Sequence, residues 1–155
     1  MNFNSVILSG VVCADLLCGC VTDIKPDAVI TLAAYNIRCP RDESPNTWEE
    51  RKDRCRAVIR KNGLDIFGVQ EAFRHQLDDL LANSDYAFIG KGRDDFKDKG
   101  EFAAIIYNKN RFEVIDSGVL SLSETPDVPG VVAWDAVCPR MAAIRCLPHR
   151  CKFAQ

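Results

Sequence analysis

An apolar run, a capped helix, a second apolar run and a second helix follow one another early in the chain, and this order constrains the fold more than any other feature. From Ala28 to Ile37 the residues AVITLAAYNI are apolar, partly β-branched and without a helical period, which predicts a core strand buried on both faces. Thr47-Trp48-Glu49-Glu50 is a capping box, Trp48, Cys55, Val58 and Ile59 share one helical face, and Gly63 supplies a stop, so the spacing predicts a helix over Thr47 to Asn62. Asp65 to Gln70 (DIFGVQ) reads as another buried strand, and Phe73, Leu77, Leu80 and Leu81 give Phe73 to Ala82 a helical period. A crossover helix returns the chain to the same sheet, so the two strands are expected to pair in parallel in an α/β domain.

Further along, Tyr86 to Gly90, Phe102 to Asn108 and Phe112 to Leu122 read as strands, with a hairpin-like turn at Asn108 to Arg111. Ser123 to Pro139 holds three prolines and one glycine and reads as a long surface loop, a place where binding residues tend to sit. Another strand begins at Arg140 to Ile144. At 155 residues with 47% apolar residues, the chain has material for one core. Its 20 basic against 22 acidic side chains give a formal charge of −2, which advertises neither a nucleic-acid-binding field nor disorder.

Two polar residues stand where chemistry is expected. Asn36, in Tyr35-Asn36-Ile37-Arg38, and Glu71, in Gly68-Val69-Gln70-Glu71-Ala72, each follow an apolar strand at its carboxyl end, the edge where α/β sheets bind ligands. Either alone would serve as a cap or turn residue. Two on neighbouring strands point at one site.

These blocks resemble the endonuclease/exonuclease/phosphatase family, with its deoxyribonuclease I-like fold, whose members carry an Asn after the first strand and a Gln-Glu after the next. The likeness continues through Gly100-Glu101-Phe102-Ala103-Ala104-Ile105-Ile106-Tyr107, Leu122-Ser123-Glu124-Thr125-Pro126, Trp134-Asp135-Ala136 and Cys138-Pro139-Arg140-Met141-Ala142, in order, from about residue 31 to 143. It implies about the first half of a four-layer α/β sandwich, carried by residues 28–143. It also implies a hydrolase of phosphodiester or phosphomonoester bonds that uses Mg²⁺, with Mn²⁺ as a substitute. Such a hard cation takes oxygen ligands and keeps several waters, so the Glu71 carboxylate and the Asn36 amide oxygen would suffice as metal ligands and catalytic groups, Asn36 orienting the metal-bound oxygens or the nucleophilic water. Glu101 is then a candidate substrate contact or, alternatively, a solvated strand end. Arg140 is a candidate phosphate fork or an ion pair closing the long loop.

The resemblance also implies what to look for later: a His after a strand, an Asp-x-Asn pair that positions water and leaving group, and a terminal Asp-His pair. None follows Arg140, and the only histidines are His75 and His149. The alternative reading is a non-catalytic fragment or binding remnant of such a domain, whose uncovered sheet face would favour self-association. The substrate is a phosphate ester of open class, and no basic run interleaved with aromatics marks a nucleic-acid patch.

The two ends differ from the body. Residues 1–27 form an apolar leader and polar tether in which Leu17-Cys18-Gly19-Cys20 resembles a bacterial lipobox, making Cys20 a candidate for lipidation and membrane anchoring. No Lys or Arg precedes Lys25, which leaves open a leader that is no signal at all. The chain is accordingly expected to be exported or membrane-anchored in a bacterium, or else cytoplasmic. Residues 144–155 (IRCLPHRCKFAQ) depart from the family pattern, as a truncated or out-of-frame reading would. Cys146, His149 and Cys151 are short of the four ligands of a zinc site, and none is expected there.

Overall fold

The computed structural model describes residues 29–146, with the side chains of 144–146 left aside. The leader with Cys20, the tether, and His149 and Cys151 of the tail lie outside the described residues. Among the described residues two strand–helix pairs are followed by four strands: β1 (Leu32–Asn36), α1 (Trp48–Asn62), β2 (Ile66–Ala72), α2 (Arg74–Leu81), β3 (Tyr86–Ile89), β4 (Phe102–Asn108), β5 (Asp116–Ser121) and β6 (Met141–Cys146). The first four strands form one mixed sheet in the order β1-β2-β4-β3, and β5 pairs antiparallel with β6 in a second. β1 and β2 run parallel, as the crossover predicts, while β4 is antiparallel to both β2 and β3.

α1 starts where its capping box predicts. The Glu50 carboxylate accepts from the Thr47 N–H at 2.9 Å and from its hydroxyl at 2.6 Å. It stops at Gly63, whose φ of 53° is a left-handed conformation that a residue without Cβ adopts at little cost. Trp48, Cys55 and Ile59 of α1 and Gln76, Leu77 and Leu80 of α2 are buried. Except for the polar Gln76, they form a core with Phe67, Val69, Phe102, Ala104 and Ile106 between the helices and one face of the four-stranded sheet. Each large apolar side chain buried there contributes about 1.5–3 kcal/mol relative to exposure.

The opposite face of that sheet is less covered, and here the expectation of a first strand buried on both faces fails. Leu32, Ala34 and Asn36 are exposed, Leu32 at 60%, while Ala33 and Tyr35 face the core. The apolar run has the composition of a doubly covered strand, but β1 is the edge of its sheet among the described residues, and nothing described packs over its outer face.

Two further expectations are corrected. Phe112 lies not in a strand but in the turn after β4, packed inward at 8% exposure, and β5 begins only at Asp116. The Asn108 to Arg111 turn is no hairpin, because β4 and β5 belong to different sheets. At that same end of the sheet, the buried Asp65 accepts from the Thr31 N–H at 2.8 Å and from the Arg111 guanidinium, which also reaches the Val29 carbonyl at 3.1 Å. Cys39, Cys55 and Cys138 are free thiols. Among the described residues no helix is long and apolar enough to cross a membrane.

Candidate functional site

At the other end of the sheet, β1 and β2 finish side by side, with Asn36 paired to Gln70. The ladder between β2 and β4 then slips between Val69 and Ala72, so the strand carries a bulge. A bulge turns side chains out of the regular alternation. Glu71 sits in it with φ of 59°, a left-handed conformation that a residue with a Cβ seldom adopts. Its carboxylate is thereby aimed at β1, where the Asn36 Nδ2 donates to Oε1 at 2.8 Å.

The turn leaving β1 completes the arrangement. The Arg38 N–H donates to Asn36 Oδ1 at 2.8 Å and the Cys39 N–H to Glu71 Oε2 at 3.2 Å. With a donor facing its oxygen and an acceptor facing its nitrogen, the Asn36 amide has one sensible orientation. The hydrogen bond from Asn36, and then that from the Cys39 N–H, hold the Glu71 carboxyl below its ordinary value, so it is ionised at neutral pH.

Sign and direction give a prediction. A folded-state pKa lowered from 4.5 means that these bonds stabilise the fold fully above that pH and cease to as pH falls through the lowered value. The stability difference between the chain and Asn36→Ala is therefore expected to shrink between about pH 6 and about pH 3, measured by urea unfolding. A difference independent of pH would show that Asn36 does not favour the ionised form of Glu71.

Glu101 lies at the same edge, one residue before Phe102, which pairs with Ala72. It is half-buried and ion-paired, its Oε2 lying 2.8 Å from Arg93 Nη1, so it is not the freely solvated strand end that was the alternative. Arg140 is exposed, and its carbonyl accepts from the Leu122 N–H at 2.8 Å where the long loop closes. Among the described residues its side chain neither bonds Asn36 or Glu71 nor forms an ion pair. His75 is exposed on α2.

The structure thus joins Asn36 to Glu71, sets Glu101 on the same edge and, among the described residues, gives the Arg140 side chain no bond to either. Sequence reasoning passed over Arg51 and Gln76, which hold the turn between Asn36 and Cys39 from α1 and α2. The available signal was a cation between Trp48 and Cys55 on the apolar face of α1.

No group of three or more His, Cys, Asp or Glu that could hold a metal occurs among the described residues. What is present suits a hard cation that keeps its waters: one ionised, half-exposed carboxylate with lone pairs to spare, braced by two N–H donors. Two surface cavities lie elsewhere. One of about 390 Å³ is lined by Tyr107 and Phe112, and one of about 220 Å³ by Ile89, Val119 and Ala143.

Residues 33–147 match the sequence profile of the Endonuclease/Exonuclease/phosphatase family. The solved endonuclease/exonuclease/phosphatase from Bacteroides vulgatus is similar at 45% identity with a TM-score of 0.70, covering 74% of this chain and 44% of that one. A family protein from Bacteroides thetaiotaomicron is similar at 42% identity and TM-score 0.70, over 74% of this chain and 42% of its own. A mannosyl-6-phosphatase from Bacteroides thetaiotaomicron VPI-5482 is similar at 41% identity and TM-score 0.71, over 74% of this chain and 44% of its own. The chain therefore spans less than half the length of these structures. None of the curated proteins matches it.

Proposed function

The chain belongs to the endonuclease/exonuclease/phosphatase family, a family of phosphoesterase hydrolases of which it holds a partial domain, and we propose that it carries the cation-binding part of a phosphoester-hydrolysing site. The observation that carries this reading is the hydrogen bond from Asn36 to Glu71 across the carboxyl ends of two parallel strands. Glu71 supplies the anionic oxygen for Mg²⁺ or Mn²⁺. When bound, such an ion neutralises charge that builds on a phosphoryl oxygen.

The chain's own residues have separate duties. Asn36 spends one amide hydrogen on Glu71 and keeps the second to orient an oxygen of the substrate. Glu101, held by Arg93 at the same edge, contacts the substrate away from the phosphate, since an anion there would repel it. Arg140, exposed beside the long loop, offers a planar fork to the phosphate. As to substrate class, the 41% identical mannosyl-6-phosphatase favours a sugar phosphomonoester.

A second reading, a remnant inactive by itself and prone to self-association, is favoured by two exposed apolar side chains, Val29 before β1 at 78% and Leu32 on its outer face at 60%. Mn²⁺ titration of the chain, followed by electron paramagnetic resonance, tests the cation reading. The chain is expected to bind Mn²⁺ and Glu71→Gln to bind it at least about tenfold more weakly. Equal binding by the two would remove Glu71 from the site.

A further inference from the structure

Resting on the cation reading above and deepening it, we infer that Arg51 and Gln76 are positioning residues, which fix the Ile37–Cys39 turn so that Asn36 and the Cys39 N–H both meet Glu71. Neither residue touches Asn36 or Glu71 in this arrangement; each acts through the turn.

The turn departs from ordinary backbone. Arg38 has a φ of 61°, in the left-handed region that a residue with a Cβ occupies only when its surroundings insist. Those surroundings are two side chains brought by two helices. Arg51 of α1, with a side chain only 11% exposed, donates to the carbonyls of Ile37, of Arg38 at 2.9 Å and of Cys39 at 2.9 Å. Its remaining Nε–H goes to the Asn46 carbonyl at 2.9 Å. Gln76 of α2, wholly buried, donates to the same Arg38 carbonyl at 3.1 Å while its Oε1 accepts from the Phe73 N–H at 3.0 Å.

Three successive carbonyls thus converge on one guanidinium, and the middle one also on a buried amide. Carbonyls turned inward leave the N–H groups of the same turn facing the other way, and these are the groups the site uses: Arg38 N–H on Asn36 Oδ1 and Cys39 N–H on Glu71 Oε2. Asp42 completes the clamp, with Oδ1 2.7 Å from Arg38 and Oδ2 3.6 Å from Arg51. The Trp48 ring, 5.4 Å from the guanidinium carbon, supports it from below. Only a planar fork with five donors serves this many acceptors at once; a Lys ammonium offers three donors from a single point.

The test compares the chain with Arg51→Lys, Gln76→Met and Glu71→Gln by amide hydrogen exchange and by Mn²⁺ affinity. In Arg51→Lys and Gln76→Met the Ile37 and Cys39 amides are expected to exchange at least about tenfold faster, while those of Ile59 and Ile106 in the core keep their protection. Mn²⁺ affinity is expected to fall by about tenfold in both variants. Loss of protection at Ile59 and Ile106 in step with the turn would reduce both residues to general stabilisers and overturn the inference. So would a loosened turn with unchanged Mn²⁺ affinity, where the chain binds the ion through Glu71. Should Glu71→Gln bind Mn²⁺ as the chain does, the cation reading fails by itself, and the exchange rates still decide whether the clamp exists.

Discussion

Assayed with Mg²⁺ on a generic phosphodiester and on a phosphomonoester, the 155-residue chain is expected to turn over at least about 10²–10⁴-fold more slowly than a chimera that continues its residues 29–143 with the C-terminal part of the Bacteroides vulgatus relative. The Asn36–Glu71 pair supplies one anionic oxygen and one oriented amide. Hydrolysis also requires an attacking water held in line and a leaving oxygen stabilised, and losing either positioned group typically costs orders of magnitude in rate. By the resemblance, those duties belong to a His, an Asp-x-Asn pair and an Asp-His pair. This sequence offers only His75, exposed on α2, and His149, outside the described residues. In the chimera, Glu71→Ala is expected to abolish the gain. Turnover by the chain alone that matches the chimera and vanishes in Glu71→Ala would show that the site is already complete.

The largest effect on stability is expected at Asp65→Ala. Asp65 is 4% exposed and joins three segments: it accepts from the Thr31 N–H before β1, precedes β2, and ion-pairs with Arg111 in the turn after β4. Removing the carboxylate leaves the Thr31 N–H without its acceptor and takes from Arg111, 30% exposed, one of its partners, a loss expected to cost about 1–3 kcal/mol. Against a total of about 5–15 kcal/mol for a domain, that is a large fraction. Urea unfolding measures it, with Asp65→Asn as the companion that keeps an acceptor for Thr31 but loses the charge. A loss under about 1 kcal/mol in Asp65→Ala would mean that the pair is effectively solvated.

Much of the fold was readable because its signals are local. The capping box at Thr47, the stop at Gly63 and the apolar spacing of Leu77 and Leu80 each specify structure within a few residues, and α1 and α2 formed there. The limits of β1 were not readable, since composition reports that a strand suits burial but not whether a second layer arrives to cover it. The same holds for Phe112, whose burial comes from tertiary packing and not from a strand. At the site, Asn36 and Glu71 were legible as polar ends of apolar strands. Their meeting depends on a bulge, and the turn that braces them depends on Arg51 and Gln76 from helices distant in sequence, which no spacing rule reaches.

The left-handed backbone at Glu71 bears on what keeps this residue in place. A glycine there would release about 1–2 kcal/mol of conformational cost. It would forfeit the bonds that Asn36 and Cys39 make to an ionised carboxylate, each worth about 1.5–3 kcal/mol. The bonds outweigh the strain, so the carboxylate that faces the edge also locks the bulge that aims it.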